Sequence, residues 1–273
     1  MNPRSRGRIL HALGLIAVLV FTIFPFFWMV SSSFKTQADL LASPPVWLFR
    51  PTLANYADVF ADQKVIDAVV NSLIVALGST GLSVILGTPA AFALARYEFR
   101  GKSDLWFWFI SNRFISPIVL ALPIYLLALQ LRILDTHLVL ILVYVTFILP
   151  IVIWISTDQF RSIPRELEEA ARLEGASQFD IFRRIYLPLG LPGIAVSAIF
   201  GFIFSWNELL YALVLTRRAV QTAPVVATSF MSGYELPWGK IMATGTVIVL
   251  PVTIFALLVS RHMVRGLTMG ATK

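Results

Sequence analysis

Six apolar runs separated by polar segments organise the chain: Ile9–Val30, Val69–Ala95, Leu105–Leu131, Leu138–Ile155, Leu189–Leu215 and Ile241–Met263. Each meets or approaches the roughly 20 residues that a helix rising about 1.5 Å per residue needs to cross a hydrocarbon core. The fourth carries no charge, and only Thr146 and Pro150 interrupt it. The pattern predicts an all-α, polytopic membrane protein with six spanning helices in one domain, 1–273.

Within the second run Ser79, Ser83, Gly87, Ala91 and Ala95 recur at every fourth position and form one small-residue ridge. Such a ridge lets a second helix approach closely, either within the chain or across a subunit interface. Pro117, Pro123, Pro150 and Pro251 fall inside the runs, where each removes a backbone donor and bends or hinges its helix. The first run follows Arg4, Arg6 and Arg8 and precedes Ser31–Ser33, as in a signal peptide. At about 22 residues it is longer than the roughly 7–15 of a signal core and reads as a retained span.

Composition agrees. Of 273 residues 58% are hydrophobic and only 14% charged, against about 25% charged in a soluble domain. Mean hydropathy is +0.79. With no cysteine, disulfide-stapled modules and cysteine-ligated metal centres are excluded. The net charge of +7 sits in short segments between apolar runs, so it reads as membrane orientation rather than nucleic-acid binding. With the N terminus inside, the inner segments hold Arg4, Arg6, Arg8, Arg96, Arg100, Lys102, Arg161, Arg165, Arg172, Arg183, Arg184, Arg261, Arg265 and Lys273. The outer segments hold only Lys35, Arg50, Lys64, Arg132, Arg217, Arg218 and Lys240. The excess predicts that both termini are cytoplasmic.

One inner segment, residues 161–187, is longer than a helix hairpin needs. Ser162 and Pro164 mark a helix start, with Glu166, Glu168 and Glu169 in its early turns. Gly175 supplies a C′ break, and Ser177 with Asp180 resembles a capping box opening a second short helix. Arg183 and Arg184 fall in that helix's last turn, and Pro188 follows its end. On the first helix Leu167, Ala170, Ala171 and Glu174 share a face. The two alanines leave room for a partner surface, although an amphipathic interfacial helix has the same pattern.

Glu169-Ala170-Ala171, three residues, Gly175, nine residues, then Ile185-Tyr186-Leu187-Pro188 resembles the EAA motif of ABC importer permeases, with each fixed element at its spacing. Asn71-Ser72, Trp206-Asn207-Glu208 and Val264-Arg265-Gly266-Leu267-Thr268 look like the carbohydrate-uptake, MalG-like branch, and the similarity runs along essentially the whole chain. The resemblance implies a permease core over about 66–263 in a bacterial cytoplasmic membrane. It implies that Glu169, Ala170, Ala171 and Gly175, with Leu187 and Pro188, belong to coupling helices that dock on an ATP-binding subunit. The implied partners are a second, MalF-like permease subunit, two ATP-binding subunits carrying ATP and Mg, an extracytoplasmic solute-binding protein and membrane lipid. This chain would bind no cofactor.

The remaining chemistry is sparse. Gly101-Lys102-Ser103 resembles the end of a phosphate loop, but Arg96 stands where its first glycine belongs, and an apolar run precedes it instead of a strand. His11, His137 and His262 lack metal-ligand spacing, and no nucleophile elbow is visible. Two charged residues lie well inside the runs, away from the inner ends, where charge is costly and functional roles concentrate. Arg113, beside Asn112, lies about 12 Å from the inner end of the third span, and Glu208 about 28 Å along the fifth. That offset opposes direct pairing unless the helices are shifted or broken. Arg113, Asn207 and Glu208, with Trp206 as a stacking surface, form the candidate solute path. The outer segments Ser33–Ala68 and Thr216–Lys240 are long enough to meet a binding protein. A secondary transporter driven by an ion gradient is the alternative, but neither inverted repeats nor coupled intramembrane acids support it.

Overall fold

A computed structural model describes the backbone of residues 3–230 and 236–268 and the side chains of residues 11–230 and 236–257. Lys273 thus lies outside the described residues, as do the side chains of Arg4, Arg6, Arg8, Arg261, His262 and the Val264–Thr268 motif. In chain order the helices are α1 (Pro3–Ser33), α2 (Gln37–Leu41), α3 (Ala54–Ala61), α4 (Gln63–Arg96), α5 (Lys102–Ser111) and α6 (Pro117–Gln130). There follow α7 (His137–Arg161), α8 (Arg165–Leu173), α9 (Gln178–Ile181), α10 (Leu187–Trp206), α11 (Leu210–Leu215), α12 (Ala223–Ser229) and α13 (Trp238–Thr268). The described residues are helical or irregular, with no strand among them. Among the described residues five helical stretches are long and apolar enough to span, and a sixth span exists if α5 and α6 count as one.

That pair makes up the third predicted span, Leu105–Leu131, interrupted beside one of its prolines. A short 3₁₀ turn, Asn112–Phe114, ends α5, and the two pieces are bent by 96°. The cause is local. Ile115 and Ser116 are extended (ψ 122° and 128°) and Pro117 begins α6, because a proline pushes its predecessor out of the helical region and supplies no N–H. Pro123, Pro150 and Pro251 instead stay inside continuous helices. Pro150 leaves the Thr146 carbonyl without its helical donor, and the Asn112 side-chain amide supplies one at 3.4 Å.

The fifth span differs from expectation at both ends. It does not reach Leu215: α10 stops at Trp206, and α11 begins after a break at Asn207–Leu209. At the other end the second loop helix does not stop before Pro188. It continues from α9 through a π-helical stretch, Phe182–Tyr186, into α10. The Leu187 N–H reaches the Phe182 carbonyl five residues back, a register change placed directly before the residue that has no N–H to donate.

Two compact units account for the chain, Met1–Ile66 with Ala227–Leu250, and Asp67–Val226 with Pro251–Lys273. In the first, Lys35 is buried; its ammonium donates to the Val46 carbonyl at 2.8 Å and lies over the Trp28 and Phe49 rings. Asn55 donates to the carbonyls of Ser33 and Lys35, and Lys240 pairs with Asp62 at 2.8 Å.

In the second unit the small ridge of α4 is buried within the chain: Ser79, Ser83, Gly87, Ala91 and Ala95 are all inaccessible. A Cβ on Gly87 would lie 2.8 Å from the Val152 side chain of α7. Helix α10 carries a matching ridge that the sequence reading missed, Gly193, Ser197, Gly201 and Ser205. All four are buried, a Cβ on Gly201 would sit 2.8 Å from Ile148, and Ser205 and Ser79 share a hydrogen bond at 3.0 Å. Small residues let backbones approach where lipid provides no hydrophobic drive.

Candidate functional site

The loop between α7 and α10 is built as its residues demand. Helix α8 ends at Gly175, whose φ of +83° is the left-handed conformation that favours glycine. The Gly175 N–H bonds the Arg172 carbonyl, and the Ala176 N–H bonds the Ala171 carbonyl; together these form a Schellman turn. Ser177 caps α9 by accepting from the Asp180 N–H at 3.2 Å.

Of the side chains on α8, only that of Glu168 is buried. Glu169 and Ala170 are exposed, Ala171 is half-buried, and Gly175 is open. Leu187 is half-buried and Pro188 exposed. Around Gly175, Leu173 (90% exposed) and Phe179 (67%) present apolar surface to the exterior. Glu168 points inward, where it accepts from Arg172 at 2.6 Å and from the Tyr186 hydroxyl at 2.8 Å, with the Arg96 guanidinium at 3.9 Å. Arg96, at the end of α4, also donates to the Ile163 carbonyl and lies over the Tyr186 ring at 4.6 Å. Beneath this network Phe92, Tyr97, Phe160, Phe182 and Tyr186 pack edge-on or tilted.

The second constellation sits at the two helix breaks. A cavity of about 220 Å³ is lined by Asn112, Arg113, Thr146, Phe147, Phe204, Glu208 and Tyr211, among others. The broken helices bring Arg113 and Glu208 to one cavity despite their offset along the chain. Arg113 lies over the Phe204 ring at 5.1 Å. Glu208 caps α11: its carboxylate accepts from the N–H groups of Tyr211 (3.1 Å) and Ala212 (3.2 Å) and from the Tyr144 hydroxyl at 2.9 Å. An acid before a helix start satisfies donors that would otherwise be orphaned in an apolar setting. Asn207 donates to the Ile203 carbonyl, and Trp206 is buried with its ring stacked on Phe202. The aromatic faces at the cavity are those of Phe147, Phe204 and Tyr211.

Asp135, passed over in the sequence, holds the turn after α11. Its carboxylate accepts from four successive backbone N–H groups, Arg217, Arg218, Ala219 and Val220, at 2.9–3.2 Å. Burial works to raise its pKa, but the four donors outweigh it and hold the carboxyl below its ordinary 3.8. A carboxyl lowered on folding adds stability above its unfolded pKa and loses it as pH falls through the folded value. Asp135→Ala is expected to cost about 1–2 kcal/mol, since the group is partly solvated. Thermal unfolding of the purified chain near pH 7 should report that loss, and the gap from the parent should shrink below pH 3.8.

Asn71 and Ser72 serve the same region. Asn71 donates to the Gln221 carbonyl and bonds His137 at 2.8 Å, and Ser72 accepts from the Ala223 N–H. Helix α4 begins at Gln63, so this pair lies about two turns inside it.

Residues 83–269 match the family described as binding-protein-dependent transport system inner membrane component. The trehalose transport system permease protein SugB of Mycobacterium tuberculosis is 38% identical over 259 residues, covering 94% of each chain. The trehalose/maltose transport system permease protein MalG of Thermococcus litoralis is 34% identical, covering 100% of this chain and 99% of its own. The fold is similar to a chain of a bacterial ABC transporter involved in import of the acidic polysaccharide alginate. There the TM-score is 0.77 at 21% identity, over 96% of this chain and 98% of that one. With the family matched over most of its length and whole-chain relatives above 30% identity, this chain belongs to the inner-membrane permease components of ABC transporters, in the carbohydrate-uptake branch.

Proposed function

We propose that the chain is one of two permease subunits in an ATP-driven importer of a sugar, polyol or sugar derivative, with both termini cytoplasmic. The observation that carries the reading is α8. It exposes Glu169, Ala170 and Leu173 up to an open Gly175 turn, while its one buried side chain faces the bundle. An exposed apolar and small-residue surface of this kind fits a groove on a partner protein.

In this reading Glu169, Ala170, Ala171 and Gly175 lie against an ATP-binding subunit, and Leu187 and Pro188 carry movement from the loop into α10. ATP and Mg are held by the two partner ATPases, and this chain performs no chemistry on the solute. A solute-binding protein delivers cargo from the opposite side. The cavity with Arg113 and Glu208 lies on the solute path, where aromatic faces suit the apolar faces of a sugar ring and the polar groups its hydroxyls. The relatives named for trehalose and maltose support a carbohydrate cargo.

The test is purification of the chain with its partner permease and the ATP-binding subunits co-expressed, followed by uptake in vesicles supplied with the solute-binding protein. Stable co-purification, and uptake that needs ATP and survives ionophores, is expected. No associated ATPase, with uptake that collapses when the ion gradient is discharged, would point to a secondary transporter.

A further inference from the structure

Helix α8 is attached to the rest of its unit in an unusual way. An amphipathic helix normally holds its place by burying an apolar stripe. Here Leu167 and Leu173 are exposed, and the single buried side chain is a carboxylate, Glu168. Its partners come from three places: Arg96 from the end of α4, Arg172 from α8 itself, and Tyr186 from the π-helical stretch leading into α10. Arg96 reaches a fourth, the Ile163 carbonyl just past α7. Both chain connections of α8 run through backbone-controlling residues, Pro164 before it and Gly175 after it. Glu168 and Arg96 therefore form a polar link from α8 to three long helices, beside the smaller apolar contact that Ala171 makes with the cluster around Phe92 and Phe160.

Resting on the reading of α8 as the ATPase-docking helix, we propose that Arg96 and Glu168 are positioning residues forming the joint that transmits displacement of α8 to α4 and α10. Glu168 is hydrogen-bonded to Arg172 and Tyr186 and faces the Arg96 cation at 3.9 Å in a largely buried site, so the linkage is directional, and removing either charge costs more there than at a solvated surface. An apolar contact of the same size would let the helix slide. The two side chains are only 11% and 4% exposed, so solvent cannot readily take the place of either partner. Neither residue reaches the docking surface, which distinguishes this role from that of Glu169 or Gly175.

The experiment uses the complete transporter with its ATPases and binding protein. Because the chain has no cysteine, spin labels can be placed at Glu166→Cys on α8 and Arg100→Cys beyond α4 without removing thiols from it, in a complex whose partners are cysteine-free or blocked before assembly. In the parent, the distance between labels should be the same without nucleotide and in the ATP–vanadate state, because helix and span move together. In Glu168→Gln and in Arg96→Met the ATPases should still co-purify, while the distance broadens or shifts with nucleotide. Stimulation of ATP hydrolysis by the binding protein should fall by roughly tenfold in each, with the double variant no worse than either. Arg96→Lys, which keeps the cation, should recover part of it. An unchanged distance with full stimulation would overturn the joint, and so would loss of ATPase binding in both variants, which would mark the pair as part of the docking surface's fold. If the parent itself captures no ATPase, the functional reading fails instead.

Discussion

Gly175→Val should insert in the membrane and keep its spans yet lose most ATP-coupled transport. The position sits at φ +83°, where a β-branched residue costs about 1–3 kcal/mol. Open space surrounds it, with no atom within 4 Å of an added Cβ, so the cost is conformational and carries no clash. The strain falls on a nine-residue helix whose end is fixed by two Schellman hydrogen bonds from Gly175 and Ala176. Relief comes from reopening that turn, which displaces Leu173 and the face around Ala170. A displacement worth about 1.4 kcal/mol is already tenfold in an equilibrium. We expect at least that loss in ATP hydrolysis stimulated by the binding protein. Gly175→Asn should retain most of the activity, since asparagine tolerates the left-handed region. If valine and asparagine behave alike, the effect does not come from the turn.

Glu208→Ala is expected to be the most destabilising change at the cavity. It leaves the N–H groups of Tyr211 and Ala212 without their acceptor and the Tyr144 hydroxyl without its partner. Loss of a helix cap together with an unsatisfied polar group in apolar surroundings amounts to about 2–4 kcal/mol. The purified complex should melt several degrees lower, and α11 should lose hydrogen-exchange protection. Glu208→Gln keeps an acceptor oxygen and should cost roughly half as much. A cavity whose only use for Glu208 is solute contact would instead lose transport with no change in melting.

The apolar runs made the spans legible because an uninterrupted helix is the cheapest way to satisfy backbone groups in lipid. Gly175 and Ser177 were legible too, since a C′ glycine and an N-cap serine act through their own local backbone. That Pro117, of the four prolines within the runs, would be the one to break its helix was not. Hydrophobicity counts the same for a kinked, a broken and a straight helix, and Pro123, Pro150 and Pro251 bear the same residue without the break. What differs is non-local, as when Asn112 supplies the donor that Pro150 withholds from Thr146.

Glu168 and Glu169 show the same limit. Adjacent residues on a helix point about 100° apart, so the sequence says they face differently but not which one faces in. Two of the partners that hold Glu168 inward, Arg96 and Tyr186, are far away in the chain, and nothing local marks them as such. Asp135 was invisible for a related reason. Its four donors are backbone groups of a distant turn, and backbone donors leave no mark on residue identity.

The central claim is that the exposed end of α8 is the seat of an ATP-binding subunit, and the cysteine-free chain allows it to be read directly. Leu173→Cys, at a position 90% exposed in the isolated chain, is labelled with a maleimide before and after assembly with the ATPase subunits, and then treated with a short bifunctional crosslinker. The account predicts rapid labelling of the chain alone, protection in the assembled complex, and a crosslinked product containing the ATP-binding subunit. Full labelling in an assembled, hydrolysing complex, with no such product, would contradict it.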